Sequence, residues 1–242
     1  MPVELPDKMT PVTKAEVIEA FWHAWAQYFG QYPPSRESVW ILVAQWALET
    51  GWGKSMHNFN MGNAKSRPGD GFDYQYFACN EILSLSRAKA MVAASPQTAR
   101  ITTIRTDGTA IIWLYPKHPG CRFRAFTCLV DGVVDHLHLV ANRYNKAWPY
   151  IIQGNPAEYS KALKRQGYYT ADEALYTKGI VRCFESVAKE PFDYDNLPVL
   201  TNQEIGRIQN LVASTQQTLV RDVDMFSHAT FDSSLDEDAK SE

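Results

Sequence analysis

One carboxylate stands out for the chemistry its surroundings allow. Glu49 ends a run rich in Val, Trp, Leu and Ala, from Val39 to Leu48, and is followed by Thr50-Gly51-Trp52-Gly53. Ionising a carboxyl in apolar surroundings forfeits hydration, and the negative end of a helix dipole opposes the charge further. A carboxyl that keeps its proton near neutral pH can act as a general acid and protonate a departing oxygen. The plain alternative is an exposed glutamate on a last helical turn. Glu81, after Ala78-Cys79-Asn80, reads as an acid that satisfies the dipole at a helix start, and Asp107 is explained by its Asp107-Gly108 turn.

Other chemistries find less support. In Asp135-His136-Leu137-His138 the two histidines lie two positions apart, about 200° around a helix, so they cannot converge on one ion. No metal and no organic cofactor is expected. Serine elbows, phosphate loops and dinucleotide glycine patterns are absent. Cys79, Cys121, Cys128 and Cys183 show no C-x-x-C and read as buried free thiols, with one disulfide left open.

The elements that must position these groups follow from spacing and caps. Thr13-Lys-Ala-Glu16 is a capping box, and apolar residues from Val17 to Tyr28 recur at helical spacing up to Gly30. Tyr32-Pro-Pro-Ser35 breaks the chain and offers Ser35 as the cap of a second helix over 36–50, apolar almost all round and therefore central. Residues 58–77 form a long irregular stretch rich in Asn, Gly and aromatics. Residues 81–94 predict a short helix, and strands over 100–106 and 109–115 flank the hairpin turn, with 121–127 as a third strand. Helices are predicted over 129–143, 156–166, 171–185 and 202–220. The fold class is α+β, mostly helical, with a small antiparallel hairpin lobe.

Composition bounds the rest. In 242 residues, 45% are hydrophobic and 21% charged, an ordinary globular balance that excludes disordered and low-complexity classes. The net charge of −3 is uneven, because residues 222–242 carry seven acids and one lysine. The remaining body is mildly basic, which suits an anionic polymer and is too weak for nucleic acid. No apolar run is long enough for a membrane span, and the first residues lack the pattern of a signal peptide, so a soluble chain delivered without its own leader is expected. The division is an arm over 1–12, a domain over 13–190, a linker and extra helix over 191–221, and an acidic tail over 222–242.

Ala44-Gln-Trp-Ala-Leu-Glu49-Thr-Gly-Trp-Gly-Lys54 resembles the catalytic signature of the glucosaminidase domain of glycoside hydrolase family 73, which includes bacterial autolysins, flagellar muralytic domains and phage peptidoglycan hydrolases. Three further stretches are similar to that family in order: Asn60-Met-Gly-Asn63-Ala-Lys65, then Phe123-Arg-Ala-Phe126 with Asp131-Gly-Val-Val-Asp-His136, then Asn155-Pro-Ala-Glu-Tyr159 with Gly167-Tyr168-Tyr-Thr170 and Tyr176. The resemblance covers residues 13–185. It implies a lysozyme-like fold and hydrolysis of β-1,4 bonds in peptidoglycan glycan strands, as an endo-β-N-acetylglucosaminidase acting at the bacterial cell wall. It implies Glu49 as the acid, and Glu81 as the second carboxylate, although the usual threonines before it are replaced here and Asp70 and Asp73 are rivals. It also implies Tyr168 as a catalytic residue beside the acid, whose phenol could hold the sugar or the developing charge. Asn60, Asn63, Lys65, Phe59, Tyr74 and Trp113 are the expected substrate contacts. The alternatives are an N-acetylmuramidase or lytic transglycosylase on the same fold, or a non-catalytic wall-binding or assembly module. The C-terminal helix and tail lie outside the resemblance and are candidates for docking a delivery or assembly partner.

Overall fold

A computed structural model describes residues 1–169, 171–195, 197, 200–203, 205–206, 208–210 and 213. The first helix, α1 (Lys14–Phe29), opens on the expected capping box: the Thr13 hydroxyl accepts from the Glu16 amide at 3.2 Å, and Glu16 accepts from the Thr13 amide at 2.7 Å. Ser35 caps α2 (Arg36–Thr50), accepting from Ser38 N. The apolar sequence of α2 has the expected consequence: residues 38–47 are buried, apart from Trp40, which packs against the same core.

Beyond α2 come β1 (Tyr74–Tyr76), β2 (Cys79–Ser84), α3 (Leu85–Ala94), β3 (Ala99–Ile104), β4 (Thr109–Leu114) and β5 (Arg122–Arg124). Then follow α4 (Leu129–His138), a π-helical turn Leu139–Arg143, α5 (Trp148–Ile152), α6 (Pro156–Arg165) and α7 (Glu173–Ala188). The class is α+β, mostly helical, with small antiparallel sheets. Residues of α1, α2, α4, α6 and α7 form the main core. A second, smaller core of Ala99, Ile112, Leu114 and Cys121 lies under the three-stranded sheet, which has the order β2-β4-β3.

Three expectations need correction. Residues 81–84 are not helical: β2 pairs with β4 from Cys79↔Leu114 to Ser84↔Thr109, and the helix starts only at Leu85. Glu-Ile-Leu-Ser-Leu fits helical spacing, yet pairing with the apolar strand Ala110–Leu114 overrides that local preference. The strand expected over 121–127 is shorter and joins β1 instead of the hairpin, through Tyr74↔Arg124, Gln75↔Phe123 and Tyr76↔Arg122. The helix expected to reach residue 143 changes to π geometry at Leu139.

The arm is part of the structure. Glu4 bridges Tyr74 in parallel, Asn58 N donates to Lys8 O, and the Thr10 hydroxyl accepts from Phe59 N, so residues 3–10 strap β1 and the irregular loop. At the other end, described residues between 202 and 213 are helical; Ile208 is buried in the main core, and Gln209 donates to Gln27 on α1. The rest of the expected 202–220 helix and the acidic tail lie outside the described residues. No helix among the described residues is long and apolar enough to cross a membrane.

Candidate active site

Glu49 owes its position to the way α2 ends. Gly51, Trp52 and Gly53 hold φ angles of 57°, 63° and 78°, so three successive left-handed residues turn the chain away directly after the helix. Thr50 locks this turn: its hydroxyl donates to Trp46 O at 2.7 Å and accepts from Gly53 N at 2.9 Å. Trp52 is the strained member, and its ring packs edge-on against buried Trp46 at 6.3 Å. The small-Gly-Trp-Gly sequence is thus a C-cap that leaves the Glu49 side chain on the last turn.

Around that turn three segments converge. The Asn63 amide donates to the Glu49 carbonyl at 3.1 Å, tying the irregular loop to the end of α2. Tyr176 on α7 donates its hydroxyl proton to Glu49 Oε1 at 2.5 Å. Oε2 has no hydrogen-bond partner among the described residues. Burial pushes the Glu49 carboxyl above its ordinary value, and the Tyr176 hydrogen bond opposes that shift without cancelling it. Tyr176 is itself pushed up, by burial first and then by the Glu49 charge, so the phenol keeps its proton and must be the donor. With Oε1 accepting from Tyr176, Oε2 is the oxygen left to carry a proton, and no described side chain hydrogen-bonds to it. Glu49 as a whole is half-buried.

One turn earlier on the same face, Gln45 anchors a buried polar group. Its Oε1 accepts from the Tyr159 hydroxyl and, at 3.1 Å, from His136 Nε2, which fixes the histidine as the Nε2–H tautomer. Burial lowers His136 to about 4, so it is neutral near pH 7. The Tyr168 hydroxyl is buried without a hydrogen bond of ordinary geometry, although it lies near Gln45, and its ring packs edge-on against Tyr144 at 4.9 Å. Burial and the Glu49 charge push Tyr168 up as well. The loop crosses close above: a methyl at Gly62 would sit 3.0 Å from the Tyr168 oxygen and 3.3 Å from His136 Nδ1. Gly132 on α4 is tighter still, since a Cβ there would lie 1.9 Å from the Phe59 carbonyl oxygen.

Glu81 occupies a different setting. It lies on β2 opposite Ile112, on the face that carries the small core, and Lys65 Nζ stands 3.4 Å from its Oε1. The helix-start reading of Glu81 is therefore replaced by a strand position. Lys65 is held firmly: its ammonium donates to Gly120 O at 2.6 Å and lies 3.9 Å from the Phe123 ring centre. Asp107 is engaged by its turn, accepting from Thr109 N and Oγ1.

The expected substrate contacts divide. Asn63 meets the Glu49 backbone carbonyl, and Lys65 meets the Glu81 carboxylate. Asn60 does not reach outward: it is buried, donating to Ala64 O and Arg124 O and accepting from Ala64 N, so its amide shapes the loop. Phe59 packs against the main core, and the Tyr74 ring is covered by the Arg122 guanidinium at 3.7 Å. Trp113 is 37% exposed, but Glu81 pairs with its neighbour Ile112, which places Trp113 on the opposite face of the sheet from Glu81.

Tyr176 and Gln45 are the contributors that residue-type reasoning underweights. Tyr176 lies 127 positions from its partner, which no local pattern reveals. Gln45 did leave a signal, as the polar residue one turn before Glu49 in an otherwise apolar helix. Asp135 is buried and forms a 2.5 Å ion pair with Arg124, joining α4 to β5. Among the described residues no three His, Cys, Asp or Glu side chains are grouped to hold a metal ion.

Comparison of the chain with protein-family models, with curated proteins and with solved structures returns no match.

Proposed function

We propose that this chain cleaves β-1,4 glycosidic bonds of peptidoglycan glycan strands, with Glu49 as the general acid. The observation that carries the reading is the setting of Glu49: a carboxyl at the end of a buried apolar helix, with one oxygen held by a phenol donor and the other without a partner among the described residues; burial pushes it up. That arrangement suits delivery of a proton from Oε2 to a leaving oxygen. As the proton leaves, negative charge develops on a carboxylate already hydrogen-bonded to Tyr176, which stabilises it. The family resemblance of Glu49-Thr-Gly-Trp-Gly53 and of the later stretches supplies the substrate class. Preference for the N-acetylglucosaminyl bond rests on that resemblance alone.

Glu81 is proposed as the second carboxylate, activating water or steadying the oxocarbenium-like transition state. It lies 3.4 Å from the Lys65 ammonium on the sheet that carries the smaller core. Asn63 and Lys65 are proposed to meet the sugar's polar groups. Tyr168 is proposed to position the loop around the acid, since its hydroxyl lies beneath Gly62.

Mass spectrometry of fragments released from purified cell walls tests the proposal. The wild type is expected to release glycan fragments with N-acetylglucosamine at the reducing end, and Glu49→Gln none. Reducing N-acetylmuramic acid would reassign the bond, and anhydro-muramyl ends would reassign the reaction to a transglycosylase. A Glu49→Gln protein that clears walls as fast as wild type would refute the role of the acid. If neither protein clears walls while both sediment with them, a binding module replaces the enzyme.

A further inference from the structure

Two thiols face each other where the two small sheets meet. Cys79 is the first residue of β2, and Cys121 ends the short turn Pro119–Cys121 that leads into β5. Their Sγ atoms are 4.0 Å apart, although 42 positions separate them in sequence. A disulfide requires about 2.05 Å between sulfurs, and side-chain rotation with a small backbone adjustment supplies closures of that size. Both cysteines are free thiols in this structure.

The surroundings of the two sulfurs differ in a way that orders the chemistry. Cys79 is partly exposed, and Lys65 Nζ lies 3.6 Å from its sulfur, so a thiolate formed there has a cation beside it. Cys121 is fully buried, and burial together with the neighbouring Cys79 pushes its thiol up to about 12. An oxidant arriving from solvent therefore meets Cys79 first.

We propose that Cys79 and Cys121 form a reversible thiol–disulfide site that staples the three-stranded sheet to the β1–β5 ribbon, with a small-molecule disulfide as the oxidant. The Cys79 thiolate attacks one sulfur of the donor disulfide; its S–S bond breaks, and the expelled thiolate takes up a proton. Cys121 then gives its proton to water and attacks the Cys79 sulfur of the mixed disulfide, releasing the donor's second half as a thiol. Two protein thiols are oxidised by two electrons and one donor disulfide is reduced to two thiols.

The test uses the folded full chain and needs no wall substrate. Reduced protein is incubated with oxidised glutathione, alkylated and mapped by peptide mass spectrometry. The expected result is a Cys79–Cys121 cross-linked peptide, with Cys128 and Cys183 still alkylated. The melting temperature should rise by roughly 5–10 °C, reversed by dithiothreitol. Cys121→Ser should trap a glutathione adduct on Cys79, whereas Cys79→Ser should leave Cys121 unmodified. The proposal is overturned if Cys79 and Cys121 both remain alkylatable after oxidation, or if the cross-link joins a different pair. An adduct on Cys121 in Cys79→Ser would overturn the order of attack. The wild-type map decides the pairing even if a serine variant fails to fold.

Discussion

Glu49 stands at the end of a helix enclosed by a core drawn from α1, α2, α4, α6 and α7, whereas Glu81 stands on a sheet whose buried residues are Ala99, Ile112, Leu114 and Cys121. The first carboxyl loses water and gains a neutral phenol; the second keeps water and gains an ammonium group. Desolvation favours the protonated form at Glu49. The same residue type is thus set in two different surroundings by the amount of apolar matter behind it. The larger core is suited to hold an acid at a fixed place. The smaller one carries its carboxylate on an element that can yield locally at lower cost.

That contrast is open to attack from several directions. The largest effect is expected for Glu49→Gln, with a loss of roughly 10³-fold or more in wall cleavage, in line with removal of a general acid. The same variant should not be less stable at pH 7. Its folded-state carboxyl is raised, so the stabilising form is the protonated one and is lost as pH rises through the folded value. The stability of Glu49→Gln relative to wild type should therefore grow with pH above the ordinary glutamate range, as read by denaturant unfolding. A parallel fall in both proteins would break the contrast.

Next in size is Gly132→Ala. Its methyl meets the Phe59 carbonyl at 1.9 Å, so α4 or the loop must move, at a cost of about 3 kcal/mol or more in unfolding free energy. An effect at least as large, spread over a pH range, attaches to His136 and His138, both lowered to about 4 by burial. They stay neutral in the folded chain while the unfolded chain protonates near 6.5, so their contribution is present above 6.5 and is lost as pH falls toward 4. The slope is about 1.4 kcal/mol per pH unit for each histidine. Denaturant unfolding between pH 7 and pH 4.5 measures it, and His138→Asn should remove about half.

How much of this was visible in the sequence follows the same division. The helical body was legible because its signals are local: the Thr13 capping box, the Ser35 cap, the greasy α2 and the glycines after Glu49 each act within a few residues. The lobe was less so. β2 reads as a helix until β4 pairs with it, and β5 finds β1 across some fifty positions. In the site, Glu49 could be singled out because an acid at the end of an apolar helix is conspicuous. Tyr176, named in the resemblance, had no role legible in sequence, because its meeting with Glu49 is decided by how α7 packs on α2. Asn60 is turned inward and Trp113 lies across the sheet from Glu81 for a related reason: residue type suggests what a side chain could bind, and only burial and strand register say where it points.

The remaining substitutions have smaller effects. Tyr176→Phe removes the hydrogen bond that favours the ionised carboxyl, so Glu49 should titrate higher and the alkaline limb of the pH–rate profile should move up, with a loss in rate of about tenfold. Lys65→Met should cost no more than about 1 kcal/mol in stability, since both partners of its ion pair are substantially exposed. Its effect on wall cleavage should match that of Glu81→Gln if the two act as a pair.

The most direct test follows the Glu49 carboxyl itself. In protein labelled with ¹³C at glutamate side chains, the carbon resonances are followed through a pH titration, with Glu49→Gln providing the assignment. One glutamate, absent from the variant, should titrate clearly above Glu16 and Glu158, which hydrogen bonds from Thr13 and Lys161 hold low. A Glu49 signal that titrates with or below those two would show a carboxyl already ionised at working pH, with no proton to give.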